Sequence, residues 1–340
     1  MSLTTLTCDN NQLATLDVSK NAALQSLDCA YNQLTSLDVS KNLGLQYLCC
    51  KFSKLTLLDV SKNIYLETLY CDSNQLTTLD LSMNSALKDL SCTSNQLISL
   101  DLSTGLETLF CYSNKLTLLN VSMNTALYSL SCYSNQLTSL DISKNTALTN
   151  LYCDSNQLTS LDVSNNIALI NLLCSYNSLT TLNISNNIAL TALLCTSNQL
   201  TSLNLKNGKN TFLNNMYCRS NSNLSCIQVD DVSYANTNNT NWYKDATATY
   251  NLSCPSLGIA ETVFDKIAVY PNPAKGELHI DNSTLEKATI YDTLGRLITT
   301  TKFTNNSNNN TLNLAGFRSG LYYIYLENEG VTIVKKIIVE

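Results

Sequence analysis

From Leu3 to Leu205 the apolar positions of the chain obey one rule. In the second copy they fall at Leu24-x-x-Leu27-x-Cys29-x-x-Asn32-x-Leu34, and the next half-turn, Leu34-x-x-Leu37-x-Val39-x-x-Asn42, restates it. The cysteines mark the period: Cys8, Cys29, Cys50, Cys71 and Cys92 lie 21 residues apart, and Cys111 follows after 19 because its copy is two residues short. Cys132, Cys153, Cys174 and Cys195 resume the step of 21, and Cys218 comes 23 later. A period of this size predicts a solenoid, in which one copy cannot bury its apolar side alone but stacked copies can. The alternation Leu27-x-Cys29 predicts a short strand with Leu and Cys inward and Ser26, Asp28 and Ala30 outward. Successive strands are expected in parallel register, about 4.8 Å apart. The second half-turn, around Leu37-Asp38-Val39, is expected to be a second short strand or an extended segment. No stretch has the length or 3.6-residue spacing of a helix, so the predicted fold is an all-β-dominated, slim solenoid of modest curvature.

An Asn column (Asn11, Asn32, Asn74, Asn95, Asn114, Asn135, Asn156, Asn177, Asn198, Asn221) sits where each strand turns inward. Its amide groups are suited to satisfying turn backbone in their own coil and its neighbour. Ser53 interrupts the column and predicts a local irregularity. The cysteine ladder reads as core packing, since Cys is small and readily buried. Metal binding needs clustered Cys/His spacing, which the array lacks. Disulfides between neighbouring coils are within reach, but parallel Cβ vectors suit them poorly. Cys226 and Cys254 lie outside the ladder and are expected to bond to each other in a secreted chain.

The nested 21-residue unit resembles the IRREKO class of leucine-rich repeats, over residues 3–205. That resemblance implies a bacterial surface or secreted binding scaffold without naming a ligand. Composition divides the chain into the repeat array (1–205), an Asn/Thr/Ser-rich capping or transition segment (206–260) and a separate C-terminal unit (261–340). Residues 1–204 hold 8 Lys and no Arg against 14 Asp/Glu, a net charge of −6, and neither later segment is basic. A nucleic-acid partner is therefore not expected. No apolar run reaches the roughly 18 residues of a membrane span. The opening "MSLTTLTCDN" carries no leader pattern and enters the repeat at once, so an N-terminal cap and leader are expected to lie upstream of Met1.

In the C-terminal unit, short β-branched and aromatic runs alternate with turn signals, predicting a small Ig-like β-sandwich of about seven strands. Its motifs resemble the C-terminal sorting domain of type IX secretion cargo. Tyr270-Pro271-Asn272-Pro273 matches the entry motif, Asp292-x-x-Gly295-Arg296 a turn, and Gly320-Leu321-Tyr322 with the Lys335-Lys336 strand the end. The resemblance implies recognition by the type IX machinery at the outer membrane, export, and an extracellular or outer-membrane-surface location.

The array contains no His; the single one, His279, lies in the C-terminal unit on a predicted strand. A Ser-His-Asp triad or a His-based metal site in the array is thereby excluded. The remaining carboxylates fall in columns that a non-enzymatic scaffold explains, so no cofactor is expected. One column, Asp17, Asp38, Asp59, Asp80 and Asp101, could take bridging Ca²⁺, but Asn120, Asn183 and Asn204 occupy equivalent places, and bonding to neighbouring Ser, Thr or backbone N–H is the favoured reading. The positions flanking each cysteine supply the candidate ligand surface: Phe110, Tyr112, Tyr133, Tyr152, Leu173, Leu194 and Tyr217. Over about six coils these span roughly 25 Å, a size of apolar patch that marks a contact surface for a protein or glycan. The competing reading is aromatic packing between coils that only stabilises the sheet. The alternative function is a structural spacer that presents a further, N-terminal domain at the cell surface.

Overall fold

The computed structural model describes residues 2–238, 240–254, 268–281, 285–293, 296–303, 309–328 and 331–340. It divides into two compact units, Met1–Pro255 and Ser256–Glu340. Gly295 of the turn motif lies outside the described residues.

The first unit is a stack of short coils, numbered here by their cysteines from coil 1 (Cys8) to coil 11 (Cys218). Each coil contributes one three-residue strand, beginning with Thr5–Thr7, Ser26–Asp28 and Tyr47–Cys49 and ending with Asn215–Tyr217. These strands, closed by Trp242–Tyr243, form one twelve-stranded parallel sheet. The register is the repeat itself: Leu27 pairs with Leu48, Leu48 with Leu69 and Leu69 with Leu90. In most strands the central Leu is buried and its neighbours are half-buried. Alternation thus fixes the inner face, as a period of 2 requires. The second half-turns are extended but pair as strands only late, at Thr181–Asn183, Ser202–Asn204, Cys226–Gln228 and Thr249–Asn251. A solitary bridge, Asp80 to Asp101, is the earlier trace of this second sheet. Helix is limited to Val232–Thr237 and one 3₁₀ turn, Asn210–Phe212, among the described residues. The residues after 205 continue both sheets, and Trp242 lies buried there with its Nε1 donating to the Leu213 carbonyl at 2.8 Å.

The interior is a stack of Leu, Val, Ile and Cys, nearly all fully buried. The cysteine ladder lies within this core. Its thiols from Cys29 to Cys218 are free and buried, and Cys8, in the first coil, is only half-covered. No disulfide links neighbouring coils. Burial pushes the thiols up, to about 12 at Cys29 and Cys132, which leaves them neutral and apolar. Cys226 and Cys254 form a disulfide with Cα atoms 5.8 Å apart.

Two Asn columns turn the chain. In the first, Asn135 illustrates the scheme: Nδ2 donates to the carbonyls of Cys111 (3.1 Å), Cys132 (3.0 Å) and Tyr133 (3.4 Å), and Oδ1 accepts from Leu116 N–H at 3.0 Å. One side chain thus ties two successive coils. The residue before each of these Asn sits in the left-handed region, including Tyr31 and Tyr176 at φ of 52° and 56°. That conformation costs an ordinary residue roughly 1–2 kcal/mol, and the Asn bonds on either side hold it. The second column, seen at Asn63, donates to the Val39 (3.1 Å) and Asn42 (2.9 Å) carbonyls of the preceding coil.

Ser53 does not disturb this frame. Tyr47–Cys49 keeps its pairing on both sides, and Phe52 adopts the same left-handed turn as its counterparts. The cost is local: the Ser53 hydroxyl is buried with no partner, because its side chain is too short to reach the carbonyls and the N–H that Asn would. The outward reading of Ala30 is likewise corrected. Ala30 is 2 % exposed, since the position after each cysteine is recessed and a methyl group fits beneath its neighbours.

The second unit is antiparallel β with its own core, including Leu278, Ile280, Ile290, Ile324 and Ile337. Among the described residues its strands are Ala268–Lys275, Glu277–Asp281, Lys287–Asp292, Leu297–Lys302, Asn309–Asn313, Gly320–Asn328 and Val331–Val339. Gly320–Asn328 pairs antiparallel with Val331–Val339 and with Lys287–Asp292. Ala274 meets Val339 in parallel, joining the first strand to the last. This is a small β-sandwich architecture.

Candidate ligand-binding surface

Because each coil adds one strand, side chains at equivalent positions form columns down the twelve-stranded sheet. The position after the strand's central Leu carries Tyr70, Phe110, Tyr152, Leu173, Leu194, Tyr217 and Tyr243, and the position after the cysteine carries Asp72, Thr93, Tyr112, Tyr133 and Asp154. The predicted patch is therefore contiguous, but it is recessed. Phe110, Tyr112, Tyr133, Tyr152, Leu173 and Leu194 are half-buried, and of the seven only Tyr217 is exposed, at 38 %. Strands this close force the rings onto one another. Tyr112 and Tyr133 stack at 4.2 Å with 10° between their planes. Burial, with Tyr112 beside it, pushes the Tyr133 phenol up to about 12.

The structure extends this surface at both ends. Tyr217 stacks on Tyr243 at 4.8 Å, and the Arg219 guanidinium lies 4.7 Å from the Tyr243 ring. Toward the N-terminus, Tyr47 meets Tyr70 edge-on at 6.0 Å, with Lys51 over the Tyr70 ring at 5.7 Å. Tyr243 had no periodic signal because its strand follows an irregular spacing. Tyr47 was legible, since it stands one residue before a ladder-strand Leu.

Carboxylates punctuate the same face. Asp72 accepts from the Ser91 hydroxyl, from Thr93 Oγ1 at 2.7 Å and from Thr93 N–H at 3.0 Å. Asp89 accepts from Thr108 Oγ1 at 2.6 Å. Asp154 accepts from Ser175 N–H at 2.9 Å, yet burial outweighs that bond and raises its pKa.

The opposite side is different in kind. Each carboxylate of the Asp17, Asp38, Asp59 and Asp80 series accepts from the N–H of the Ser two residues on, at 2.8–2.9 Å. Asn120 does the same with Ser122 at 3.1 Å. These bonds hold the exposed carboxyls below their ordinary range. Among the described residues no group of three or more His, Cys, Asp or Glu is placed to hold a metal ion.

In the second unit the sorting-like motifs converge. Asn272, between Pro271 and Pro273, donates through Nδ2 to the Lys336 carbonyl at 3.0 Å and accepts from Ile338 N–H at 2.8 Å. The Tyr322 hydroxyl donates to the Arg318 carbonyl at 2.9 Å, and Gly320 pairs with Val339. Arg296 closes its turn on Asp292 with an Nε–Oδ2 distance of 2.7 Å. Lys335 is half-buried and Lys336 exposed on the final strand.

Residues 268–340 match the family described as the secretion system C-terminal sorting domain. The chain is similar to the functional domain of InlJ from Listeria monocytogenes, a structure described as including a cysteine ladder. The identity is 28 %, the match covers 99 % of this chain and 86 % of that one, and the TM-score is 0.63. The chain is a leucine-rich-repeat protein with a type IX secretion sorting domain. The internalin InlF from Listeria monocytogenes (20 % identity, 74 % and 82 % of the two chains, TM-score 0.51) and the leucine-rich-repeat domain of APL1 (20 %, 72 % and 65 %, 0.53) share the fold. No curated protein matches the chain. This leucine-rich-repeat protein is secreted or displayed at the cell surface, and among the described residues no helix is long and apolar enough to cross a membrane.

Proposed function

We propose that this secreted leucine-rich-repeat protein is a non-enzymatic recognition scaffold whose ladder sheet binds a protein or glycan partner outside the cell. The observation that supports this most is the concentration of rings on the ladder face, interrupted at Ser91 and Thr93 and joined through Leu173 and Leu194. It extends from Tyr47 and Tyr70 through Phe110, Tyr112, Tyr133 and Tyr152 to Tyr217 and Tyr243. Rigid aromatic side chains give large contact area at small entropic cost. The stacking of Tyr112 on Tyr133 also supports the rival reading, a spacer whose rings serve only to bond coils.

The two readings separate in a screen of the full chain against glycans and extracellular-matrix proteins, with the Tyr112/Tyr133/Tyr152→Ser variant in parallel. Binding by the wild type that the folded variant loses is the expected result. Equal binding by both would remove the patch from the function, and no binding by either would favour the spacer.

A further inference from the structure

The ladder face carries charge of one sign where its rings are densest. Across coils 4 to 8, the sheet face and the column leading into it hold Glu67, Asp72, Asp89, Glu107 and Asp154 against one base, Lys88, with Lys51 of coil 3 reaching over the Tyr70 ring at the N-terminal edge. Lys88 is already partnered, with Nζ 3.9 Å from Glu107. The stacked Tyr112–Tyr133 pair sits in the same column as Asp72 and Asp154, which bracket it on the N-terminal and C-terminal sides. Both carboxylates are held in place, Asp72 by Thr93 and Asp154 by Ser175. By strand spacing the two lie about 19 Å apart along the solenoid, with the ring pair between them.

We infer that this face recognises a basic protein segment, with Arg or Lys side chains seated on the Tyr112–Tyr133 pair and their charges met by Asp72 and Asp154. This rests on the reading of the sheet as a binding surface and names its partner. An electron-rich ring attracts a cation, and a neighbouring carboxylate adds to that attraction. A neutral glycan would use the rings and hydrogen-bond the carboxylates through its hydroxyls but leave their charge unmet, whereas a basic segment engages both. The solenoid's net charge of −6 over residues 1–204, with no Arg, steers a basic partner toward it.

The test is calorimetric titration of the full chain with three probes: a short Arg/Gly peptide, its Glu/Gly counterpart and the neutral oligosaccharide cellohexaose. The Arg/Gly peptide is expected to bind, to weaken as NaCl rises, and to lose at least about tenfold in affinity with Asp72→Asn/Asp154→Asn and with Tyr112→Ser/Tyr133→Ser. The Asn side chains retain the acceptor oxygens used by Thr93 and Ser175, so the fold is kept. Asp17→Asn/Asp38→Asn, on the opposite side, is expected to leave binding unchanged. Binding that survives Asp72→Asn/Asp154→Asn, or falls equally with the opposite-side variant, overturns the inference. Cellohexaose binding lost only in the tyrosine variant overturns it too, while leaving the recognition scaffold standing. Failure of all three probes rejects the basic partner, and the scaffold reading is then judged by the matrix and glycan screen alone.

Discussion

Asn135→Ala is the sharpest probe of what holds the coils together. The change deletes an amide that is 8 % exposed, leaves the Leu116 N–H without the acceptor it has at 3.0 Å, and takes one of two donors from each of the Cys111 and Cys132 carbonyls, which keep Asn114 and Asn156. Each hydrogen bond nets about 1 kcal/mol, and each buried group left unpaired costs about 1–3 kcal/mol. A total near 3–5 kcal/mol follows for one side chain. The same reasoning runs backwards at Ser53, where Asn is missing. Ser53→Asn places an acceptor for Leu34 N–H and donors for the Cys29 and Cys50 carbonyls, in a turn that Phe52 already holds at φ 53°. It also removes a buried hydroxyl that has no partner, and it is expected to stabilise by about 1–3 kcal/mol. Urea unfolding followed by far-UV circular dichroism reads both. Asn135→Ala should lower the midpoint by at least about 1 M, given slopes of about 1–3 kcal/mol per molar, and Ser53→Asn should raise it. If Asn135→Ala moves the midpoint by less than about 0.3 M, or Ser53→Asn lowers it, the ladder is not carrying the turns and the argument fails.

Three further outcomes are expected. The thiols from Cys29 to Cys218 should resist a soluble disulfide reagent in the native chain even at pH 9, because burial pushes them up; all 12 free thiols should react in urea, and a fast native reaction beyond Cys8 would contradict the packing. Carboxyl titration by NMR should place Asp17, Asp38 and Asp141 below the ordinary range and Asp154 above it. The stabilisation from the first three is present above their unfolded pKa and lost as pH falls through the folded one. For Asp154 the sign is opposite: its contribution is present at low pH and lost as pH rises through its raised pKa. Asp154→Asn should therefore raise the neutral-pH melting temperature, and a lowered one would refute the burial argument. Breaking the Cys226–Cys254 bond with Cys254→Ser opens a loop of 28 residues in sequence and should cost about 3–4 kcal/mol on a chain-entropy estimate, seen as earlier melting of the region around Trp242 by fluorescence.

Most of the array could be read directly from the order of residues. A fixed period, a Leu at every inward place and an Asn at every turn leave one physical solution, since a coil can bury its Leu only against the next coil. The Asn bonds across neighbouring coils follow from the amide's inventory of donors and an acceptor. The sorting motifs were likewise legible, although the bond from Asn272 to the strand of Lys336 was not, because it joins residues 64 apart.

What the sequence by itself determined, then, is the coil, its register and the columns in which side chains recur, because these depend only on the period. What the tertiary structure decided is how deep those columns lie and which members touch. At strand spacing the rings of Tyr112 and Tyr133 must stack and sink rather than stand free. The Ala30 position is recessed, Tyr243 is drawn beside Tyr217 across an irregular loop, and Asp154 is buried enough for desolvation to outweigh its hydrogen bond. Burial and charge are properties of neighbours in space, and the neighbours that set them here come from different coils.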